Sequence, residues 1–196
     1  MQRLSPQDPN IAVWPQFCVG GPLTLTVQRQ AFSLTGGDFQ VCDQNGVAVV
    51  ICQGQAMSIR GRKVVTDSQG KELCHIRSPA FSLLRTFIVE DPAGREIVQI
   101  VKRVGFGTSM KATFMNTTTS QPTSIYLHGE ILGGSAILSL GKAGPPIAQL
   151  VSDFASARHI FTNAQTYAVN IAPGVDIALI AVLCITMDVT RRARRS

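Results

Sequence analysis

Gly174-Val175-Asp176-Ile177-Ala178-Leu179-Ile180-Ala181-Val182-Leu183-Cys184-Ile185-Thr186-Met187-Asp188-Val189 is the stretch whose reading decides the fold. It is longer than an ordinary strand and no turn residue interrupts it, so it predicts a helix. Pro173 suits the first turn and Asp176 the positive end of the helix dipole, while Arg191 and Arg192 suit the negative end. Ile, Leu, Val and Ala fall on every face, so the helix must be wet on no side. A bilayer or a protein interior satisfies that demand. Spanning a bilayer takes about 20 apolar residues. The uncharged run from Ile177 to Met187 has 11 residues, about 17 Å of helix, with aspartates on both sides. A protein interior therefore fits better. A closed β-sheet encloses one helix on all sides and also removes exposed sheet edges.

The rest of the chain supplies strands for such a sheet. Asp43-Gln44-Asn45-Gly46, Asp67-Ser68-Gln69-Gly70 and Asp91-Pro92-Ala93-Gly94 share the form Asp-x-x-Gly and start 24 residues apart. Each follows one apolar run and precedes another. Aspartate hydrogen-bonds its own turn and glycine supplies a positive φ, so each unit reads as a tight β-hairpin. One hairpin cannot bury its own face, so three of equal size imply a meander. Further strands are expected around Met110–Phe114, Ile125–Leu132, Ala136–Leu140, IAQLV at 147–151 and Tyr167–Ile171, with a polar loop at 116–122. Pro6, Pro9, Pro15 and Pro22 make residues 1–21 an extended lead-in, with Trp14 and Phe17 available to dock on the body.

Composition bounds the function. Apolar residues are 45% of the 196 and charged residues 15%, which excludes a disordered chain. The five cysteines are odd in number and irregularly spaced, and the first residues lack an apolar signal segment. An intracellular, reduced protein is expected, cytoplasmic or peripheral to membranes with a nuclear location open, its cysteines packing as small apolar residues. His75, His128 and His159 show no metal-ligand spacing, and no nucleophile elbow or phosphate loop occurs. No catalytic activity, metal or cofactor is expected.

The formal net charge of +6 is unevenly spread. Residues 60–111 hold ten basic and five acidic residues, and the tail 191–196 adds four arginines. Arg60, Arg62 and Lys63 flank a turn; Lys102 and Arg103 end the third hairpin, with Lys111 just beyond. Hairpins stacked in register would bring these six to one barrel end, as a candidate site for anionic headgroups. The plain alternative is a solvated rim. Aromatic residues are not interleaved with the basic ones, which argues against nucleic acid.

The stretch LTVQRQAFSLTGGDFQVCDQNGVAVVICQGQAMSIRGRKVVTDSQGKELCHIRSPAFSLLRTFIV at 25–89 and PGVDIALIAVLCITMDV at 173–189 resemble the LURP-one-related proteins of the tubby C-terminal-like superfamily, to which the phospholipid scramblases also belong. The resemblance spans about 22–190 and implies a mainly β fold, a closed antiparallel barrel of about twelve strands around a central hydrophobic C-terminal helix. It divides the chain into a lead-in at 1–21, the domain at 22–190 and the basic tail at 191–196. Taken with the basic segment 60–111, the tail and the lack of a catalytic constellation, it points to a non-catalytic binding protein. Its expected partner is an anionic, phosphoinositide-bearing phospholipid surface. A protein-interaction scaffold using the lead-in and loop 116–122, or a scramblase-like protein, are the alternatives. No acidic cluster resembles a calcium loop, which counts against calcium-triggered lipid movement.

Overall fold

The computed structural model describes residues 4–30, 38–55, 62–79, 86–103, 108–130, 135–151 and 166–192. Twelve strands follow one another: β1 (Leu23–Arg29), β2 (Phe39–Cys42), β3 (Ala48–Gly54), β4 (Lys63–Asp67), β5 (Glu72–Arg77), β6 (Thr86–Glu90), β7 (Glu96–Arg103), β8 (Thr108–Asn116), β9 (Gln121–Glu130), β10 (Ser135–Leu140), β11 (Pro146–Val151) and β12 (Thr166–Ile171). Among the described residues a single α-helix, α1 (Ile177–Arg192), follows β12. Each strand pairs antiparallel with the next, and β12 returns to β1 from Leu23↔Ile171 to Gln28↔Thr166, so the sheet is a closed barrel.

The three Asp-x-x-Gly units are alike in atomic detail. Asp43, Asp67 and Asp91 each accept, through Oδ1, the N–H four residues on (Val47, Lys71 and Arg95, all at 2.9 Å). Gly46, Gly70 and Gly94 have φ of 79°, 80° and 83°. A register shift precedes each turn, at Val41/Cys42, Val65/Thr66 and Val89/Glu90. The 24-residue repeat is therefore a repeated bulged hairpin, and each bulge adds the twist that curves a sheet towards closure.

Alternation along the strands sends Leu25, Val41, Val50, Val65, Val98 and Leu138 inward, each fully buried. They meet α1, in which every residue from Ile177 to Asp188 is 6% exposed or less. Every face of the helix is thus covered by the chain's own strands. Burying each Leu or Ile side chain is worth about 1.5–3 kcal/mol. The helix hydroxyls bond to carbonyls of the helix itself, and one strand side chain reaches a helix carbonyl. Thr186 and Thr190 donate to the carbonyls of Val182 and Met187, and the Tyr167 hydroxyl of β12 donates to the Cys184 carbonyl at 3.1 Å.

The helix starts later and ends later than its sequence suggested. Pro173 lies in the preceding turn, Asp176 is the N-cap, and Arg191 and Arg192 form the final helical residues. The delay has a visible cause. Asp176 takes the N–H groups of Ala178 and Leu179 on Oδ1, at 2.9 and 3.0 Å, which fixes the start at Ile177. Its Oδ2 takes the N–H groups of Val13 and Trp14, at 3.1 and 2.7 Å.

The lead-in is consequently a plug for this barrel end. It contains one 3-10 turn at Pro15–Phe17, and Ile11 bridges Val175 while Cys18 bridges Asp176. Asn116 holds it from β8, accepting from the Ala12 N–H and donating to the Asn10 carbonyl. Gly174 permits the close approach: it has φ of 80°, and a Cβ there would collide with the Gln7 carbonyl oxygen. The polar loop expected at 116–122 is shorter, residues 117–120, because Asn116 and Gln121 pair with each other at the strand ends.

Candidate functional site

A twelve-stranded meander puts alternate connections at opposite ends. The Asp-x-x-Gly turns, the 117–120 turn and the start of α1 share the plugged end. The last residues of β1, β5 and β7 and the first of β4 share the other, where α1 terminates: Arg29, Arg77, Arg103 and Lys63. Contact of Ile185 and Val189 of the helix with the same cavity as Lys63, Ser78 and Phe87 fixes this orientation.

Of the six sequence-selected cations, Arg60 lies outside the described residues, and Arg103 is described for its backbone alone. The other four divide between the two faces of the sheet. Lys63 shares the inward face with Val65, is half-buried, and carries its ammonium 6.0 Å from the centre of the buried Phe39 ring. Lys102 shares the inward face with Val98 and Ile100 and is 8% exposed. Arg62 is on the outer face against the His75 imidazole, whose Nε2 meets Glu72 at 2.7 Å. Lys111 is on the outer wall of β8, three residues in from the strand end, over the Tyr126 ring at 5.8 Å. Tyr126 in turn stacks on His128. The β4 and β7 groups are separated by β5 and β6, about 14 Å around the wall.

Among the described residues, two cations at this end escaped the sequence reading. Arg29 and Arg77 look unremarkable in the chain, but the parity of a meander assigns every second strand end to one rim, and that rule would have found them. Arg77 is tied down, its Nε donating to Glu90 at 2.5 Å. The cysteines behave as packing residues. Burial pushes Cys52 and Cys184 up to about 12 and Cys18 up to about 11, and raises Cys74 and Cys42, so none is a ready thiolate. Among the described residues, no three His, Cys, Asp or Glu side chains gather as a metal site. Among the same residues, no helix is long and apolar enough to cross a membrane.

Closed barrel, threaded helix and plugged end are the structural frame in which relatives are to be compared. The family model described as LURP-one-related matches residues 23–188. The chain belongs to the LURP-one-related family. Among curated relatives, Protein LURP-one-related 15 of Arabidopsis thaliana is 22% identical over 98% of this chain and 91% of its own length. Protein LURP-one-related 10 of the same plant is 23% identical over 90% and 94%. The X-ray structure of an Arabidopsis thaliana protein superposes with a TM-score of 0.68 at 16% identity, covering 93% of this chain and 99% of that one. That likeness concerns the fold alone. The match begins at Leu23, the first residue of β1, so the plug at residues 4–22 precedes the family's matched segment.

Proposed function

We propose that this LURP-one-related protein is a non-catalytic binding protein that engages anionic phospholipid headgroups with the barrel end where the helix terminates. One observation carries the reading: the cationic strand ends of β1, β4, β5 and β7 and the terminal arginines of α1 gather at a single end, while the aspartate turns occupy the opposite one. A protein polarised in this way orients in the field of an anionic surface, and each Lys or Arg near that surface adds about 1 kcal/mol. Within this proposal Arg60, Arg62, Lys63, Arg103 and Lys111 are the headgroup residues, with Arg62 and Lys63 presenting adjacent cations on the two faces of one rim and the buried Lys102 adding its charge from behind it. The scaffold alternative loses support, because the lead-in it relied on is occupied in sealing the barrel through Asp176 and Asn116.

Vesicle sedimentation with the full chain tests the proposal. Phosphatidylcholine vesicles containing phosphatidylinositol 4,5-bisphosphate should bind the protein at low salt, and release it as screening rises. The double substitution Arg62→Gln, Lys63→Gln should weaken that binding several-fold. Equal, salt-insensitive binding to phosphatidylcholine alone would contradict the reading.

A further inference from the structure

Lys111 differs from the other cations near the end where α1 terminates. Arg62 is against the His75 imidazole, Arg77 donates to Glu90, Lys63 lies against Phe39, and Lys102 is buried. Lys111 leans on the Tyr126 ring, its ammonium 5.8 Å from the ring centre. A ring face attracts the charge without neutralising it, so this contact positions the ammonium and leaves its donors for an anion.

The strand register decides what surrounds it. Met110 and Ala112 of β8 and Ile125 and Leu127 of β9 are buried, so alternation turns Ser109, Lys111, Tyr126 and His128 to the outer face. Lys111 stands directly opposite Tyr126, and Ser109 directly opposite His128. Opposite side chains start about 5 Å apart, and the two rows are about 7 Å apart along the strands. The Tyr126 and His128 rings stack with centres at 6.0 Å and planes 10° apart, which holds the imidazole beside the phenol. An ammonium, a phenol, an imidazole and an alcohol thus share one patch. Among the described residues, none of these four side chains has a hydrogen-bond partner. No residue paired into the two rows from β7 to β10 is acidic, and Arg103 flanks Ser109 in register.

A donor-rich patch with a fixed cation and no carboxylate complements a group with several anionic oxygens. Resting on the headgroup reading above, we propose that Ser109, Lys111, Tyr126 and His128 seat a phosphomonoester group, the chemistry shared by a phosphoinositide head and a free phosphate ester. The seat begins one residue in from the start of β8, on the wall beside the cationic rim. The head is then held by directed hydrogen bonds on that wall, while the other cations of the rim act through their field.

NMR titration of the full chain with inositol 1,4,5-trisphosphate tests the seat. The His128 ring and Lys111 ε-methylene resonances should shift with the trisphosphate and stay in place with phosphate-free inositol. Lys111→Gln should weaken trisphosphate binding at least tenfold. Tyr126→Phe keeps the ring stack, removes only the hydroxyl and should weaken binding several-fold. Arg62→Gln combined with Lys63→Gln, four strands away around the barrel, should leave the trisphosphate affinity within twofold while weakening vesicle binding. Unchanged affinity in Lys111→Gln, or His128 and Lys111 resonances that stay in place with the trisphosphate, would overturn the seat even if anionic vesicles sediment the protein. Trisphosphate binding that Lys111→Gln abolishes, in a protein that no anionic vesicle sediments, would uphold the seat for a free phosphate ester and overturn the headgroup reading.

Discussion

Asp176 joins two parts of the chain with one carboxylate, capping α1 through Oδ1 and the lead-in through Oδ2 while fully buried. Burial pushes its carboxyl up to about 6, against the four backbone N–H groups that favour the charged form. An unfolded aspartate titrates near 3.9. Below about pH 4 both states hold the proton; between 4 and 6 only the folded state does. The stabilising contribution is therefore complete below pH 4 and is lost as pH rises through 6, a change of up to about 3 kcal/mol. Chemical unfolding across pH 4 to 7 should show that fall in the unsubstituted protein and lose it in Asp176→Asn. A variant with the same slope would assign the dependence to another group. The sequence showed Asp176 as a charge suited to a helix N-terminus. Its second role needed the lead-in, 162 residues away in the chain, and no local pattern marks such a partner.

Among the elements, the hairpins were the most legible. A turn is a local object: aspartate, glycine and their spacing specify it without help from the rest of the fold. Gly46, Gly70 and Gly94 have open space where a Cβ would stand, so any cost of alanine there comes from the backbone alone. Gly70→Ala should lower stability by about 1 kcal/mol, read as a shift in urea midpoint, because φ near 80° penalises a Cβ. Gly20→Ala, also in open space but without a positive φ, should stay within a few tenths of that unit. Equal effects at the two glycines would refute the backbone explanation. Helix α1 was legible by its uniform apolarity, yet its limits shifted because the cap and the plug decide where it begins. The loop at 116–122 was read too long for a related reason: polar residues also occupy strand ends that face water, as Gln121 does.

For the whole molecule, a short helix that is apolar all round specifies its own container, and a meander of hairpins with bulges builds one. Closure was argued from the helix's need for cover on every side, while strand number came from the family resemblance, since nothing local tells a strand that β12 must find β1. The candidate site was legible in its charges but not in its geometry. Lys63 and Arg62 are neighbours in sequence and sit on opposite faces, while Lys102, which the sequence set among solvent-facing cations, is buried. A cavity beside Val189, lined from β4, β5 and β6, had no sequence signal, because it is formed by the imperfect fit of one helix to residues of three strands.

The account's central claim is that α1 stays enclosed by its own barrel, including at an anionic membrane. Cys184, fully buried at mid-helix with its thiol pushed up to about 12, reports on this directly. Pulsed alkylation with site-by-site peptide mass spectrometry should find Cys184 modified only at the rate of global unfolding, with or without anionic vesicles. Modification of Cys184 in the folded protein, or faster modification once vesicles are added, would contradict it.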